Sequence, residues 1–155
     1  MALYPDHEDF EKKKEIFAER LEPLASRAQR LGVPLLLEPL NRYETYFMLT
    51  LGQAAETCRM LDNPAVRVMA DLFHMGIEEN DPVAALEEHG GYVKHVHLVD
   101  TNRRLPGEGA ADFRPVAEVL KKTGFEGYLC MECGITGDPE EEVPRAAALA
   151  RKIFG

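Results

Sequence analysis

The spacing of apolar residues along the chain changes several times, and each change marks an element. Over residues 7–31 the apolar positions Phe10, Ile16, Phe17, Leu21, Leu24, Ala25, Ala28 and Leu31 recur at helical spacing. An acidic first turn and Gly32 just past the last position predict one long helix. Residues 34–40 form a nearly continuous apolar run, as expected of a strand covered on both faces. Thr50 and Gln53 make a capping-box pattern, opening a helix through Leu61 with Ala54, Ala55, Cys58 and Leu61 turned inward.

The same alternation then repeats. A strand is predicted over 66–73, and Asp81-Pro82 is an N-cap followed by a first-turn proline, opening a helix to about residue 88. Gly90-Gly91 ends that helix, and a third strand follows over 93–99. A helix over about 113–122 stops at Gly124, and a fourth strand covers 128–132. Asp138-Pro139 repeats the cap-plus-proline device for a last helix reaching Ile153 and Phe154, with Glu140, Glu141 and Glu142 suited to its N-terminus.

This order, one leading helix and then four strand–helix units, implies a single α/β domain over 1–155 with a parallel sheet and right-handed crossovers. A TIM-like barrel and a doubly wound sheet both satisfy it. Ionisable residues decide between them. Each strand carries one late in its run, namely Glu38, Asp71, His97 and Glu132, where barrel enzymes keep their reactive groups. No G-x-G-x-x-G follows any strand. The expected fold is therefore the parallel (β/α) half of a TIM-like barrel, with four strands each followed by a helix. A free half-barrel exposes two strand edges. A homodimer closing a pseudo-barrel is the expected remedy, or else a separate N-terminal half.

Composition narrows the partners. The net charge of −9 argues against a nucleic-acid phosphate backbone. No apolar run is long enough to span a membrane, and the start MALYPDHEDFEKKK has no apolar leader segment, so a cytoplasmic protein is expected. Cys130 and Cys133 form one C-x-x-C without a second pair to complete a zinc site, and buried, reduced thiols are expected.

Strand parity puts Leu36 with Glu38, Met69 with Asp71, His95 with His97, and Cys130 with Glu132. Four neighbouring strand ends would then surround one cation. Three carboxylates and one imidazole suit Mn²⁺, Mg²⁺ or Co²⁺ better than a structural zinc. Such an ion polarises a carbonyl and its neighbouring hydroxyl, making the C–H between them acidic and favouring a cis-enediolate. One glutamate would remove the proton and the other return one. Delivery to the opposite face epimerises; delivery to the next carbon interconverts aldose and ketose.

The segments LEPLNRYE, DLFHMGIEE, HVHLVDTNRRLPGEG and ECG, in this order and spacing, resemble the C-terminal half of the sugar isomerase/epimerase family with a xylose-isomerase-like TIM barrel. They are most similar to the D-tagatose/D-psicose ketose 3-epimerases. The resemblance implies that Glu38, Asp71, His97 and Glu132 bind a divalent ion and that Glu38 and Glu132 are the acid/base pair. It also implies that His74 and Arg103 contact substrate oxygens, and that Glu44 orients Glu38 or touches substrate. The family's N-terminal half has no counterpart in this sequence.

Other roles compete for single residues. Arg103 is also placed to pair with Asp100 or Glu108, and His74 to cap its loop. His95 is expected to fill the interior or hydrogen-bond a ligand, while His7 and His89 read as exposed helix residues. Gly107-Glu108-Gly109 is expected to be a flexible turn rather than a phosphate cradle. For the whole chain, a metal-binding scaffold without activity and a metal-dependent abasic-site endonuclease are the alternatives.

Overall fold

Short parallel strands alternate with helices in the computed structural model, which describes residues 7–155, with side chains from Phe10 onward. Helix α1 (His7–Leu31) ends where Gly32 takes a φ of +67°, a conformation that costs glycine nothing. Strand β1 (Leu35–Leu37) leads through a loop to α2 (Leu51–Leu61). The expected capping box is formed there: the Thr50 hydroxyl accepts the Gln53 backbone N–H, and the Gln53 side-chain oxygen accepts the Thr50 backbone N–H. Next come β2 (Val66–Asp71), α3 (Leu72–Glu78) and α4 (Pro82–His89), the last capped by Asp81. A 3-10 turn over Gly90–Tyr92 enters β3 (Val93–His97). Then follow α5 (Arg114–Lys122), β4 (Tyr128–Cys130) and α6 (Pro139–Phe154), capped by Asp138.

The four strands lie in the order β1-β2-β3-β4, all parallel. Neighbours in space are neighbours in sequence, as in a barrel wall; a doubly wound sheet would reverse direction at a switch point. The fold is half of a TIM-like barrel. Its register sets Asp71 opposite His97 and His97 opposite Cys130, so the strand ends stay level.

Burial is one-sided. Leu37, Val66, Val68, Ala70 and Val96 pack under the helices against Ala25, Ala54, Cys58, Leu86 and Val119. The face that would line a barrel is bare by comparison: Tyr128 is 75% exposed and Cys130 is exposed. Cys58 alone of the three thiols is buried, because the other two sit on or beside the uncovered face.

Several expectations need correction. Each strand is shorter than its apolar run. Pro39 lacks an N–H to continue β1, and Asp71 ends β2 by capping α3, a helix the apolar pattern through Phe73 concealed. Glu38 and Glu132 consequently lie just past their strands rather than within them. The stripe on α1 is narrower than its apolar positions: Phe10, Ala18, Ala25 and Ala28 are buried, while Ile16, Leu24 and Leu31 are exposed. His89 is not exposed; its ring lies beside Gly52 and its side chain is only 15% accessible. The side chain of His7 lies outside the described residues.

Candidate metal centre

Glu38, Asp71, His97 and Glu132 converge. One donor atom from each lies within 4.8 Å of all the others. His97 Nδ1 is at the middle, 3.1 Å from Asp71 Oδ2, 3.3 Å from Glu132 Oε2 and 3.4 Å from Glu38 Oε1. An octahedral ion with bonds of roughly 2.1–2.4 Å holds adjacent donors roughly 3.0–3.4 Å apart and opposite donors roughly 4.2–4.8 Å apart. All these spacings fall within those ranges. The donors therefore fit one divalent cation.

Local structure explains the positions. Asp71 divides its carboxylate: Oδ1 accepts the amides of Phe73 (2.8 Å) and His74 (3.1 Å) at the start of α3, which turns Oδ2 toward the cluster. Asp71 is 1% exposed and His97 8%, so the centre of the site is shielded from solvent. Glu38 and Glu132 flank it from the two outermost strands, with side chains 24% and 57% accessible. Glu38 Oε1 is buried and meets no hydrogen-bond donor among the described residues. Burial is the main reason its carboxyl sits above the usual range; His97 opposes that shift, while Asp71 and Glu132 reinforce it. Three carboxylates around one imidazole call for a positive charge.

A second layer lies over the rim. His74 is 1% exposed. Its Nδ1 faces the Asn41 side-chain nitrogen at 2.7 Å and accepts the Asn41 backbone N–H at 3.3 Å. A backbone amide only donates, so Nδ1 carries a lone pair and Nε2 the proton. That Nε2–H is buried and unmatched by any acceptor among the described residues. Asn41 Nδ2 also donates to Glu44 Oε1 (3.0 Å), and Arg103 Nη1 donates to the same oxygen (2.9 Å). Arg103 Nη2 reaches to 3.7 Å from Glu132 Oε2, and its guanidinium lies 5.0 Å from the centre of the Phe73 ring.

Glu44, His74 and Arg103 thus gather beside the cluster. Glu44 braces Arg103 rather than Glu38, and Arg103 pairs with Glu44 rather than with Asp100 or Glu108. His95 meets no ligand through a hydrogen bond; its ring stands edge-on to His97 at 5.2 Å. Burial and the neighbouring His97 hold its pKa below the ordinary value. The Gly107-Glu108-Gly109 turn is tied down, since the Gly107 amide donates to Asp100 Oδ2. Sequence reasoning missed Asn41, which is 2% exposed. Its signal was the N-x-x-E spacing to Glu44 in a tight turn, where Asn41 Oδ1 also accepts the Tyr43 amide.

Fold and rim together define a half-barrel whose strand ends gather four side chains that could hold a metal ion. Over residues 1–153 the chain matches the family described as xylose isomerase-like TIM barrel, and it belongs to that family. It is 35% identical over 114 residues to a D-psicose 3-epimerase of Ruminiclostridium cellulolyticum, covering 74% of this chain and 39% of that protein. It is 32% identical over 132 residues to a 3-dehydro-D-guloside 4-epimerase of Escherichia coli K12, covering 85% and 50%. Among solved structures, D-psicose 3-epimerase with D-tagatose from Clostridium cellulolyticum H10 superposes with a TM-score of 0.87 at 27% identity, over 97% of this chain and 61% of that one. The chain spans about half the length of the curated relatives it matches.

Proposed function

We propose that this chain carries the metal-binding half of a sugar epimerase, with ketose C3 epimerisation as its reaction. The observation that carries the reading is the set of four donor atoms within 4.8 Å of one another. Glu38, Asp71, His97 and Glu132 would hold Mn²⁺, Mg²⁺ or Co²⁺. When bound, such an ion would lower the pKa of the carbon acid between a carbonyl and a hydroxyl.

The protein's own groups then divide the work. One of Glu38 and Glu132 takes the proton from C3 and the other returns one to the opposite face. Their origin on the two outermost strands suits approach from two sides. His74 Nε2–H and the Arg103 guanidinium donate to substrate oxygens. Glu44 keeps Arg103 in reach or meets a hydroxyl itself. The relatives named as sugar epimerases support the reaction class, not the individual roles.

The site needs a wall opposite the sheet. A second copy of this chain would close the barrel in principle. Among the described residues, however, five helical units (α1, α2, α3–α4, α5 and α6) serve four strands. Two copies would therefore crowd two helices at each seam. A complement of four strands and three helices, lying outside residues 1–155 on the same or another polypeptide, gives the ordinary one helix per strand. Helix counting favours that complement.

The test is isotope exchange. With D-fructose or D-tagatose, Mn²⁺ and D₂O, deuterium should appear at C3, and Glu132→Gln should abolish it while the fold persists. Metal binding without exchange into any ketose, even with the complement that closes the barrel present, would instead assign the chain a scaffold role.

A further inference from the structure

Asp100 takes no part in the four-residue cluster, yet it is 0% exposed. Its Oδ1 accepts the amides of Thr101 (2.8 Å) and Ala111 (3.0 Å), and its Oδ2 accepts that of Gly107 (2.9 Å). Burial alone would push this carboxyl up. The amides of Ala111, Thr101, Gly109 and Gly107 outweigh burial and hold it below the ordinary range. Glycine-bearing loops offer such a ring of N–H groups to phosphate elsewhere. Here the chain fills the ring with its own anion. A Cβ on Gly109 would overlap Asp100 Oδ1, so the loop is moulded closely to the carboxylate.

The same turn delivers Arg103. Its amide donates to the Asp100 carbonyl (2.9 Å), while the Asp100 amide donates to the Arg104 carbonyl (3.0 Å). Arg103 takes a φ of +56°, unusual for a side chain of its size. The Gly134 amide, beyond β4, donates to its carbonyl at 3.0 Å. From this fixed point the guanidinium reaches Glu44 and approaches Glu132.

We propose that Asp100 is a positioning residue: its buried carboxylate is the anion around which residues 101–111 fold, and through that loop it sets where Arg103 meets a sugar held at the cluster. For the sugar, though not for the loop, this rests on the epimerase reading above. Asp100 touches neither the metal ligands nor substrate, so its effect must pass through Arg103.

Two variants disturb the cradle from opposite sides. Asp100→Asn replaces an acceptor oxygen with an NH₂ that faces donors. Gly109→Ala keeps the charge but displaces the carboxylate. In each, Mn²⁺ affinity by calorimetry should stay within about twofold of the parent, since neither residue contacts a ligand. D-tagatose affinity of the Mn²⁺-loaded protein should fall about tenfold, the scale of lost hydrogen bonds to a charged group. Arg103→Ala should cause a similar loss, and adding Asp100→Asn to it should cost no more. Unchanged sugar affinity in the cradle variants, or losses that add to Arg103→Ala, would overturn the proposal.

A readout without substrate separates the two readings. The guanidinium N–H resonances of Arg103 should shift and exchange about tenfold faster in both variants, while the amides of β2 stay in place. An unmoved Arg103 signal overturns the proposal. So does collapse of the β2 amides in both variants, which would make Asp100 a determinant of the fold instead. If the parent protein, with the complement that closes its barrel, binds Mn²⁺ but no sugar, the epimerase reading alone fails and the Arg103 resonances decide the role of Asp100.

Discussion

Replacing Glu38 by glutamine should make the metal-free protein more stable and the metal-loaded protein less so. Glu38 and Asp71 place carboxylate oxygens no more than 4.8 Å apart. Two like charges at that distance repel by about 3 kcal/mol at an effective dielectric of about 20. Glu132 adds little, being 57% accessible to water. His97 and Arg103 offset part of the repulsion. The net gain on neutralising Glu38 is then about 1–2 kcal/mol, or about 3–6 °C in Tm for a chain of this length. Mn²⁺ at a hundred times its Kd stabilises the parent by about 2.7 kcal/mol. Groups that merely orient metal ligands are worth about 10–100-fold in affinity, so losing a ligand costs about 100-fold or more. At the same free Mn²⁺, Glu38→Gln would then gain about 0.4 kcal/mol. The two melting curves should therefore change order between EDTA and Mn²⁺, which scanning calorimetry reads directly. A variant that melts earlier in EDTA, or that keeps the parent's response to Mn²⁺, refutes the shared-ion geometry.

Two further predictions concern the frame of the site. Glu78, 2% accessible, accepts the Arg42 amide (2.6 Å), Nε (2.9 Å) and Nη2 (3.1 Å), pinning the loop of Asn41 and Glu44 to α3. Glu78→Gln should cost about 2–3 kcal/mol in urea unfolding, less than a fully buried pair because Arg42 keeps partial access to water; no measurable loss would contradict that bracing role. Glu79 has its pKa raised above the ordinary 4.5, chiefly by burial, against the opposing effects of the Leu51 amide and His89. The fold then holds the proton more tightly than the unfolded chain does. Its contribution to stability is present below 4.5 and is lost as pH rises through the folded value. Glu79→Gln should remove that decline, and unfolding titrations from pH 4 to 8 in which the parent gains on the variant with rising pH would contradict it.

Period and punctuation made the architecture legible. Thr50 with Gln53, Asp81-Pro82 and Asp138-Pro139 mark helix starts that the structure reproduces, because caps are local chemistry. Strand ends were less legible, since an apolar run continues wherever side chains are buried, ladder or not. Leu98 and Val99 are each 1% exposed although β3 stops at His97. The four candidate ligands were legible because each ends a strand or lies just past one with the parity of the inner face. The bracing around them was hidden. Arg42 meets Glu78 across 36 residues, and Asp100 gathers amides from a loop of its own, pairings that depend on the folded path rather than on spacing.

One carboxylate in this site has two employers. Asp71 starts α3 with one oxygen and faces the cluster with the other, so a descendant that lost the rest of the cluster would still keep the residue for its helix. Glu132, solvent-facing and anchored to no amide among the described residues, has no comparable reason to persist. Among proteins sharing this half-barrel, the glutamate after the fourth strand should therefore separate working members from silent ones better than the aspartate that ends the second.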